Sequence, residues 1–344
     1  MSRTSPGNAP KIVDVARVAG VSVPTVSRVL NGSTPVSDRL KERVSAAIKE
    51  LGYRPNSAAR ALALGSRSMI AILAGNSSRY GWARTIQGIE VTARQRGFSS
   101  IVSVVESAEE SDVSVAVDLV LAENVAGVIV LEFDEPGRAL LRALKTAIPI
   151  VGVSGGNHSE GPVPHATLEE FAAGKQVTEY LLSLGHETVH HVSQPTMGRP
   201  LGRTDGWQSA LEEAGAPVPA IVHCDWEPRT AYRAGQGLAT AKDVSAVFCS
   251  NDDIAMAVMR AFADNQITVP GDVSVMGFDD QPLAEFWAPS LSTVRQDFDD
   301  LGSRAFRLLE ALMQGEPAPG NSVAVPKLIL RESTNPHYKD RTTL

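Results

Sequence analysis

The apolar residues near the start of the chain recur with helical spacing in three short segments. In the first segment they follow an i, i+3, i+4, i+7 pattern: Ile12, Val15, Ala16 and Ala19. Gly20 is predicted to end this helix, and the Ser22 hydroxyl is placed to cap the next one. A third helix is predicted over residues 37–51. Three short helices with a tight turn between the first two predict an all-α helix-turn-helix domain.

From Met69 onward, short apolar runs alternate with segments of helical periodicity. The predicted strands are residues 70–74, 101–105, 127–131, 150–153, 189–192, 221–224, 246–250 and 273–278. The helical patterns lie near residues 84–96, 109–122, 137–146, 168–184, 203–214, 228–240 and 253–265. This alternation predicts an α/β domain with doubly wound parallel sheets, and so many strands favour two lobes. Ligands of such folds lie beyond the carboxyl ends of the strands.

The charge distribution separates these two parts of the chain. Residues 1–64 carry ten basic and four acidic side chains, so their net charge is +6, whereas the whole chain of 344 residues carries −7. A basic N-terminal segment on an acidic body predicts nucleic-acid contact at one end. The hydrophobic content of 43% excludes intrinsic disorder for the chain as a whole.

The remaining composition points to a cytoplasmic protein. The opening residues are polar, and no apolar run approaches the length of about 20 residues that a membrane helix needs. Cys224 and Cys249 lie in apolar runs and are expected to be buried, reduced thiols. The sequence contains no phosphate-binding glycine motif, so no cofactor is expected.

Two motifs that could indicate an enzyme or a metal site are weak. Residues 152–156 match the G-x-S-x-G pattern of α/β hydrolases, but the segment that follows has loop composition where a helix is required. His186, His190 and His191 include an H-x-x-x-H spacing, but residues 188–192 are predicted to be a strand, which would place the pair on no common helix face. We therefore expect neither catalysis nor a bound metal.

Polar and aromatic residues follow the predicted strands of the body. Asn251 and Asp279 each follow a strand, Trp226 follows another, and Arg203 begins a helix. Carboxylate, amide and guanidinium groups bind neighbouring hydroxyls, and an indole covers the apolar face of a sugar ring. Each of these residues, taken singly, is also compatible with a turn or a helix N-cap. That structural role is the favoured interpretation of the neighbouring Asp252 and Asp280.

The N-terminal segment, residues 12–62, is IVDVARVAGVSVPTVSRVLNGSTPVSDRLKERVSAAIKELGYRPNSAARAL. It resembles the DNA-binding region of the lac/galactose repressor family, with an unbroken match from Asp14 to Leu62. The resemblance implies a recognition helix in the major groove. The implied DNA contacts are Ser22, Val23, Pro24, Thr25, Ser27, Arg28 and Asn31. Val23 and Pro24 depart from the polar pair of lac-type members and offer apolar contact only, so we expect a different operator.

A hinge helix is also implied by the resemblance. Residues 56–64 are rich in Ala and Leu and too short for a stable helix in water, so taken alone they are equally compatible with a flexible connector. In the family this segment orders on DNA, and Leu62 matches the leucine that enters the minor groove. Asn56 and Ala59 match flanking contact positions.

The likeness extends through the body, including the segments GRTDGWQSAL and CDWEPRTAYRAG and the final LILRESTNP. It implies a two-lobed effector domain similar to periplasmic binding proteins. The effector contacts carried over from lac-type members are Arg203, Trp226, Asn251, Asp279, Gln296 and Phe298. The first lobe departs from that pattern, because Leu131 and Ser154 stand where polar contacts are found. Glu132, next to Leu131, is the candidate to take over a hydroxyl contact. Tyr80 and Trp82, after the first strand, supply aromatic surface where lac-type members are aliphatic.

We therefore expect a transcriptional regulator, a repressor that a galactoside-like sugar releases from an inverted-repeat operator. The expected parts are a disordered N-terminus (1–10), the helix-turn-helix domain (11–55), the hinge and linker (56–68), the two-lobed domain (69–334) and a tail (335–344). Lobe 1 is expected over about 69–166 plus 296–325, and lobe 2 over about 167–295 plus 326–334. The C-terminus lacks the leucine heptads that join two dimers into a tetramer in lac-type members, so a homodimer is expected. The alternatives are a purine-type regulator that needs a corepressor and a stand-alone sugar-binding module.

Overall fold

The computed structural model describes residues 10–31, 36–53, 68–156, 162–194, 202–241, 243–317 and 320–336. The chain divides into two compact units, Met1–Ser68 and Met69–Leu344. The expectations for residues 1–9, most of the hinge and the end of the tail lie outside the described residues. Among those described, no helix has both the length and the apolar character to cross a membrane.

The N-terminal unit contains the three predicted helices: α1 (Ile12–Ala19), α2 (Val23–Asn31) and α3 (Asp38–Leu51). Gly20 ends α1 in the left-handed region, at φ 59°, which a residue without a Cβ adopts at no steric cost. The core of this unit consists of small apolar side chains: Val15, Ala16, Ala19, Val26, Val44 and Ala47. From α3, the Arg43 guanidinium donates to the carbonyl oxygens of Ala19 (2.6 Å) and Gly20 (3.2 Å). The α1–α2 turn is therefore held by α3.

The second unit alternates strands and helices, as its hydrophobic pattern predicts. Its elements are β1 (Met69–Ala74), α4 (Tyr80–Gln95), β2 (Ser99–Val104), α5 (Glu110–Ala122), β3 (Gly127–Leu131), α6 (Glu135–Ala143), β4 (Ile150–Gly155), β5 (His165–Leu168), α7 (Glu170–Ser183), β6 (His190–Ser193), α8 (Arg203–Glu213), β7 (Val222–His223), α9 (Pro228–Thr240), β8 (Ala246–Cys249), α10 (Asp252–Asp264), β9 (Ser274–Met276), β10 (Thr293–Arg295), α11 (Phe298–Met313), β11 (Ser322–Ala324) and β12 (Lys327–Ile329).

The strands form two separate parallel sheets, one for each lobe. The first has the order β11-β5-β4-β3-β1-β2 and the second the order β7-β6-β8-β9. Helices cover both faces of each sheet, with α4 and α11 against one face of the first and α5 and α6 against the other. β10 and β12 form an antiparallel pair outside both sheets. The expected fold class, with its doubly wound sheets, is confirmed.

Four short strands and one helix were not predicted. β5, β10, β11 and β12 have three or four residues each, and they lack a continuous apolar run of four like that of the equally short β8. The helix α11 was not predicted, although its buried residues Leu301, Ala305, Leu308 and Leu309 follow helical spacing. Both additions affect the site, because α11 begins with Phe298 and β5 begins with His165.

Candidate functional site

The second helix of the N-terminal unit presents a polar face. Pro24 and Arg28, four residues apart on one face of α2, are exposed, as is Ser22 just before the helix, whereas Val26 on the opposite face of α2 is completely buried. The Ser22 hydroxyl accepts from the backbone N–H of Thr25 at 3.4 Å and lies 2.9 Å from the Thr25 hydroxyl. Ser22 therefore caps α2, as predicted, and leaves the N-terminal end of the helix facing solvent.

The other predicted DNA contacts divide into three groups. Val23 is half-buried and packs against the core of the N-terminal unit, which limits the apolar surface it can offer to a base. Ser27 is also half-buried, and Asn31 is the last residue of α2. Asn56, Ala59 and Leu62 lie outside the described residues. The exposed residues among the predicted contacts are thus Ser22, just before α2, and Pro24 and Arg28 on α2.

A cavity of about 570 Å³ lies in the second unit, where loops after the strands of both sheets meet. Eight of the nine predicted effector residues line it: Tyr80, Trp82, Glu132, Arg203, Trp226, Asn251, Asp279 and Phe298. Gln296 is not among the lining residues. Its side-chain amide instead donates to Asp279 Oδ1 at 2.9 Å, so Gln296 acts on the cavity through that carboxylate.

Arg203 is the centre of the polar end of the cavity. Its guanidinium forms a two-pronged ion pair with Glu170, lies 3.7 Å from Asp279 Oδ1 and donates to the carbonyl oxygen of Ser250. The guanidinium carbon also lies 4.1 Å above the ring of Phe278. Burial alone would lower the pKa of Arg203, but the two carboxylates together raise it. The group is therefore a fixed cation with its planar fork already oriented.

Asp279 is held in an unusual environment beside this cation. Its φ of 106° lies in a region that residues other than glycine seldom adopt, and such strain is typical of binding sites. Burial raises the pKa of Asp279 to about 7, and the nearby guanidinium offsets this only partly. Asn251 caps α10 by accepting from the N–H of Ile254 at 2.8 Å, and its amide donates to Gln194 at 3.3 Å. The predicted capping role and the cavity position of Asn251 therefore coexist.

Five aromatic rings form the opposite wall. Trp226, Trp82, Phe133, Phe298 and Tyr80 contact one another in sequence, each pair edge to face with centroids 5.1–6.4 Å apart. The Arg79 guanidinium lies 4.2 Å from the centroid of Trp226, which is cation–π distance. Trp226 comes from the second lobe and the other four from the first, so the wall crosses between the lobes.

Among the lining residues that were not predicted as site residues are Arg79, Phe133 and Glu170. Phe133 directly follows the predicted candidate Glu132, and Glu170 follows the unpredicted strand β5. For Phe133, the position just after a predicted strand is the signal that could have identified it. Arg79 directly precedes α4, and Glu170 follows a strand that was not predicted, so that signal does not extend to them.

The G-x-S-x-G match and the histidines of the H-x-x-x-H segment belong to the packed fold. Ser154 lies within β4 and is completely buried, so it does not stand on a strand-to-helix turn. His186 is 2.9 Å from the Ser245 hydroxyl and 3.1 Å from that of Ser274, and His191 stacks between two aromatic rings. Among the described residues no cluster could hold a metal ion, and both cysteines are buried free thiols.

Comparisons with known proteins address both units. Residues 11–56 match the model of bacterial regulatory proteins of the lacI family, and residues 178–334 match the periplasmic binding protein-like domain. The transcriptional repressor PurR of Escherichia coli O139:H28 is 33% identical over 329 residues, covering 94% of this chain and 96% of PurR. The chain belongs to the LacI family.

Solved structures support the same assignment for this LacI-family protein. The lac repressor dimer bound to operator and the anti-inducer ONPF superposes with a TM-score of 0.85 at 29% identity, covering 95% of this chain and all of that one. A transcriptional regulator CelR in complex with cellobiose has a TM-score of 0.68 at 29% identity, with 94% and 99% coverage. These relatives are DNA-binding regulators and not enzymes, and the chain is accordingly a DNA-binding transcriptional repressor of this family.

Proposed function

We propose that this LacI-family repressor binds an inverted-repeat operator as a homodimer and releases it when a small, galactoside-like sugar occupies the cavity. The observation that carries the proposal is that a polar wall and an aromatic wall lie on opposite sides of the same cavity. Arg203, Asn251 and Asp279 offer hydrogen bonds to hydroxyls, and Trp226 and Phe298 offer ring faces across the same cavity. Polar groups at few points in an otherwise aromatic site are what orient a sugar ring.

The charge of the cavity favours an uncharged effector. Among its described lining residues are seven carboxylates but two basic side chains, Arg79 and Arg203. Arg203 is already paired with Glu170, and Arg79 is stacked on Trp226. A phosphorylated or acidic sugar would meet net negative potential there and would have to displace an existing ion pair. A neutral sugar has neither cost.

The DNA-binding part of the proposal concerns α2. Arg28 is exposed on this helix and can pair with guanine in the major groove, and the capped N-terminus near Ser22 can face a phosphate. Two copies related by dimer symmetry would occupy two half-sites of an inverted repeat. The lac repressor dimer bound to operator supports this arrangement by analogy.

Release requires that the sugar bind the DNA-incompetent conformation more tightly than the DNA-bound one, because equal affinities shift no equilibrium. The cavity is lined by both lobes, so a ligand there can change the angle between them. We propose that this change reaches the hinge segment 56–64 and that Asn56, Ala59 and Leu62 lose their DNA contacts.

The test is calorimetric titration of the full chain with galactosides, glucosides, cellobiose and nucleobases, followed by operator binding with each ligand that binds. We expect a galactoside to bind and to weaken operator binding several-fold. A galactose 6-phosphate control should bind at least tenfold more weakly. If no sugar binds, the sugar-effector proposal is wrong.

The second candidate is a purine-type regulator that needs a corepressor, and the 33% identity with PurR favours it. In that case a nucleobase would bind the cavity and strengthen operator binding. The likeness to the CelR–cellobiose complex adds a disaccharide as a further sugar candidate. The direction of the change in operator affinity separates the corepressor from the inducer.

A further inference from the structure

A buried acid–base pair lies behind the first-lobe wall of the cavity. Glu132 follows β3, lines the cavity and is 4% exposed. Its Oε1 lies 2.7 Å from Nε2 of His165, the first residue of β5, which is 7% exposed and is not among the lining residues. The cavity therefore meets the carboxylate, and the imidazole stands behind it.

Glu132 and His165 can meet because β4, the strand between β3 and β5, has a glycine, Gly152, at the aligned position. Val130 of β3, Gly152 of β4 and His165 of β5 are aligned in the parallel sheet. Glu132, two residues after Val130, crosses over Gly152 to reach His165. A Cβ at position 152 would overlap both His165 Nε2 and the Glu132 carboxylate. Glycine is thus required at this position by a close approach of side chains.

The hydrogen positions of His165 follow from its second contact. Nδ1 lies 2.8 Å from the carbonyl oxygen of Val163, and because a carbonyl only accepts, Nδ1 carries a hydrogen. The contact between Nε2 and Glu132 then needs one more proton between the two groups. Whether that proton is on Nε2 or on the carboxyl group, the hydrogen bond holds the Glu132 carboxyl group in one orientation. Hydrogen-bonded partners orient the ligands of metal sites in the same way.

Trp82 provides a complementary group on the same wall. It lines the cavity and is 5% exposed, and its Nε1–H has no hydrogen-bond partner among the described residues. A buried donor without a partner costs about 1–3 kcal/mol. Trp82 also packs on Phe133, the residue after Glu132, so the acceptor and the donor belong to one cluster.

We propose that His165 is a positioning residue, which holds Glu132 as the first-lobe acceptor for an effector hydroxyl, with the indole N–H of Trp82 as donor. This inference rests on the proposed function and deepens it. It assigns the polar contact of the first lobe to Glu132 after β3, held by His165 of β5 across Gly152 of β4. A ligand that bears hydroxyls toward the first lobe satisfies both the acceptor and the donor.

The test compares three single variants of the full chain by calorimetric titration with the galactoside that wild type binds. His165→Phe keeps the ring but removes the hydrogen bond, and we expect affinity to fall about tenfold. His165→Gln retains a donor at the Nε2 position and should restore most of the affinity. Thr167→Val, on the same strand and also buried, is the matched control and should leave affinity unchanged.

A double-mutant cycle separates positioning from general support of the fold. Once Glu132→Leu has removed the acceptor, adding His165→Phe should cost little further affinity, so the two losses should be strongly non-additive. Among mono-deoxygalactosides, the one that lacks the recognised hydroxyl should also be insensitive to His165→Phe. Thermal unfolding of each variant is measured in parallel.

Additive losses, or an equal loss with every deoxygalactoside, would overturn the positioning role. Unchanged affinity in His165→Phe would overturn it as well. If wild type binds no galactoside at all, the proposed function fails first, and the inference fails with it. These results are distinguishable because the first two require a wild-type protein that binds.

Discussion

Two buried carboxyl groups in and beside the cavity affect both the stability of the fold and the binding of a ligand. Asp279 and the fully buried Asp252 are carboxyl groups inside the second lobe, and burial raises the pKa of both. Asp252 accepts from the Thr293 hydroxyl at 2.6 Å and from the N–H of Gln281 at 2.7 Å, so it organises the loop after β9. Asp279 has a strained backbone and a displaced pKa at the position where a ligand would bind.

Asp279→Asn should change how stability depends on pH. The folded pKa of about 7 exceeds the unfolded value of about 3.9, so between these limits the folded state binds more protons. Rising pH from 4 to 7 therefore destabilises the wild type, by about 4 kcal/mol at most. We expect denaturant titrations at pH 5 and pH 8 to differ less for the variant. The exposed Asp118→Asn is the control, and an unaltered pH slope in Asp279→Asn would contradict the assignment.

Arg28→Ala should weaken operator binding, because the variant loses the exposed guanidinium of α2. A bidentate contact to a base contributes about 1–3 kcal/mol, which is roughly a factor of 5 to 150 in affinity. Fluorescence anisotropy at fixed salt measures the loss. Lys49→Ala, also exposed but on α3, is the matched control, and an equal loss in both variants would reduce Arg28 to a general electrostatic role.

At the scale of secondary-structure elements, one long-range side-chain contact bridges the turn of the helix-turn-helix. Two helices end in left-handed glycines, Gly20 at φ 59° and Gly52 at φ 60°. Among the described residues, the turn after Gly20 is bridged by Arg43 from α3. Position 20 thus has both a conformational and a spatial requirement, whereas a Cβ at position 52 would meet no atom within 4 Å.

Gly20→Ala and Gly52→Ala form a matched pair that separates these requirements. Both introduce a side chain in the left-handed region, which costs about 1–2 kcal/mol. Gly20→Ala should cost about 1–2 kcal/mol more, since its Cβ displaces the Arg43 guanidinium from two carbonyls. Hydrogen exchange of α1–α3 amides in the full chain measures both. Equal destabilisation would show that Arg43 adjusts without loss.

At the scale of the whole molecule, the proposed switch is a free-energy coupling between two ligands. DNA would bind the N-terminal unit and the sugar the second unit, so neither ligand needs to touch the other. Coupling energies of this kind are typically about 1–3 kcal/mol. The first lobe supplies four rings of the aromatic wall and the second lobe supplies Trp226, so a ligand bound there would contact both lobes.

This coupling must be reciprocal. If saturating galactoside lowers operator affinity by a given factor, saturating operator must lower galactoside affinity by the same factor. We expect a factor between about 5 and 150, measured by anisotropy in one direction and calorimetry in the other. Light scattering under the same conditions should report a dimer. Unequal factors would show that a further equilibrium, such as dissociation of the dimer, accompanies release.

Much of the architecture followed from local pattern. The helical spacing of Ile12, Val15 and Ala19 and the apolar run Gly127–Leu131 appear in the structure as predicted. The short strand β5 was not predicted, because its four residues include only two apolar side chains and lack a continuous apolar run like that of the equally short β8. The pairing of Glu132 with His165 depended on that strand, and therefore could not be predicted either.

The sequence by itself determined the order of elements, the two-unit organisation and the residue types of the site, because periodicity and strand-end composition are local properties. Tertiary structure alone decided which of those residues meet. Gln296 lies behind Asp279 and not in the cavity, and Glu132 reaches His165 across a glycine of an intervening strand. Such contacts depend on strand order and on the space between strands, and neither quantity is a property of any one segment.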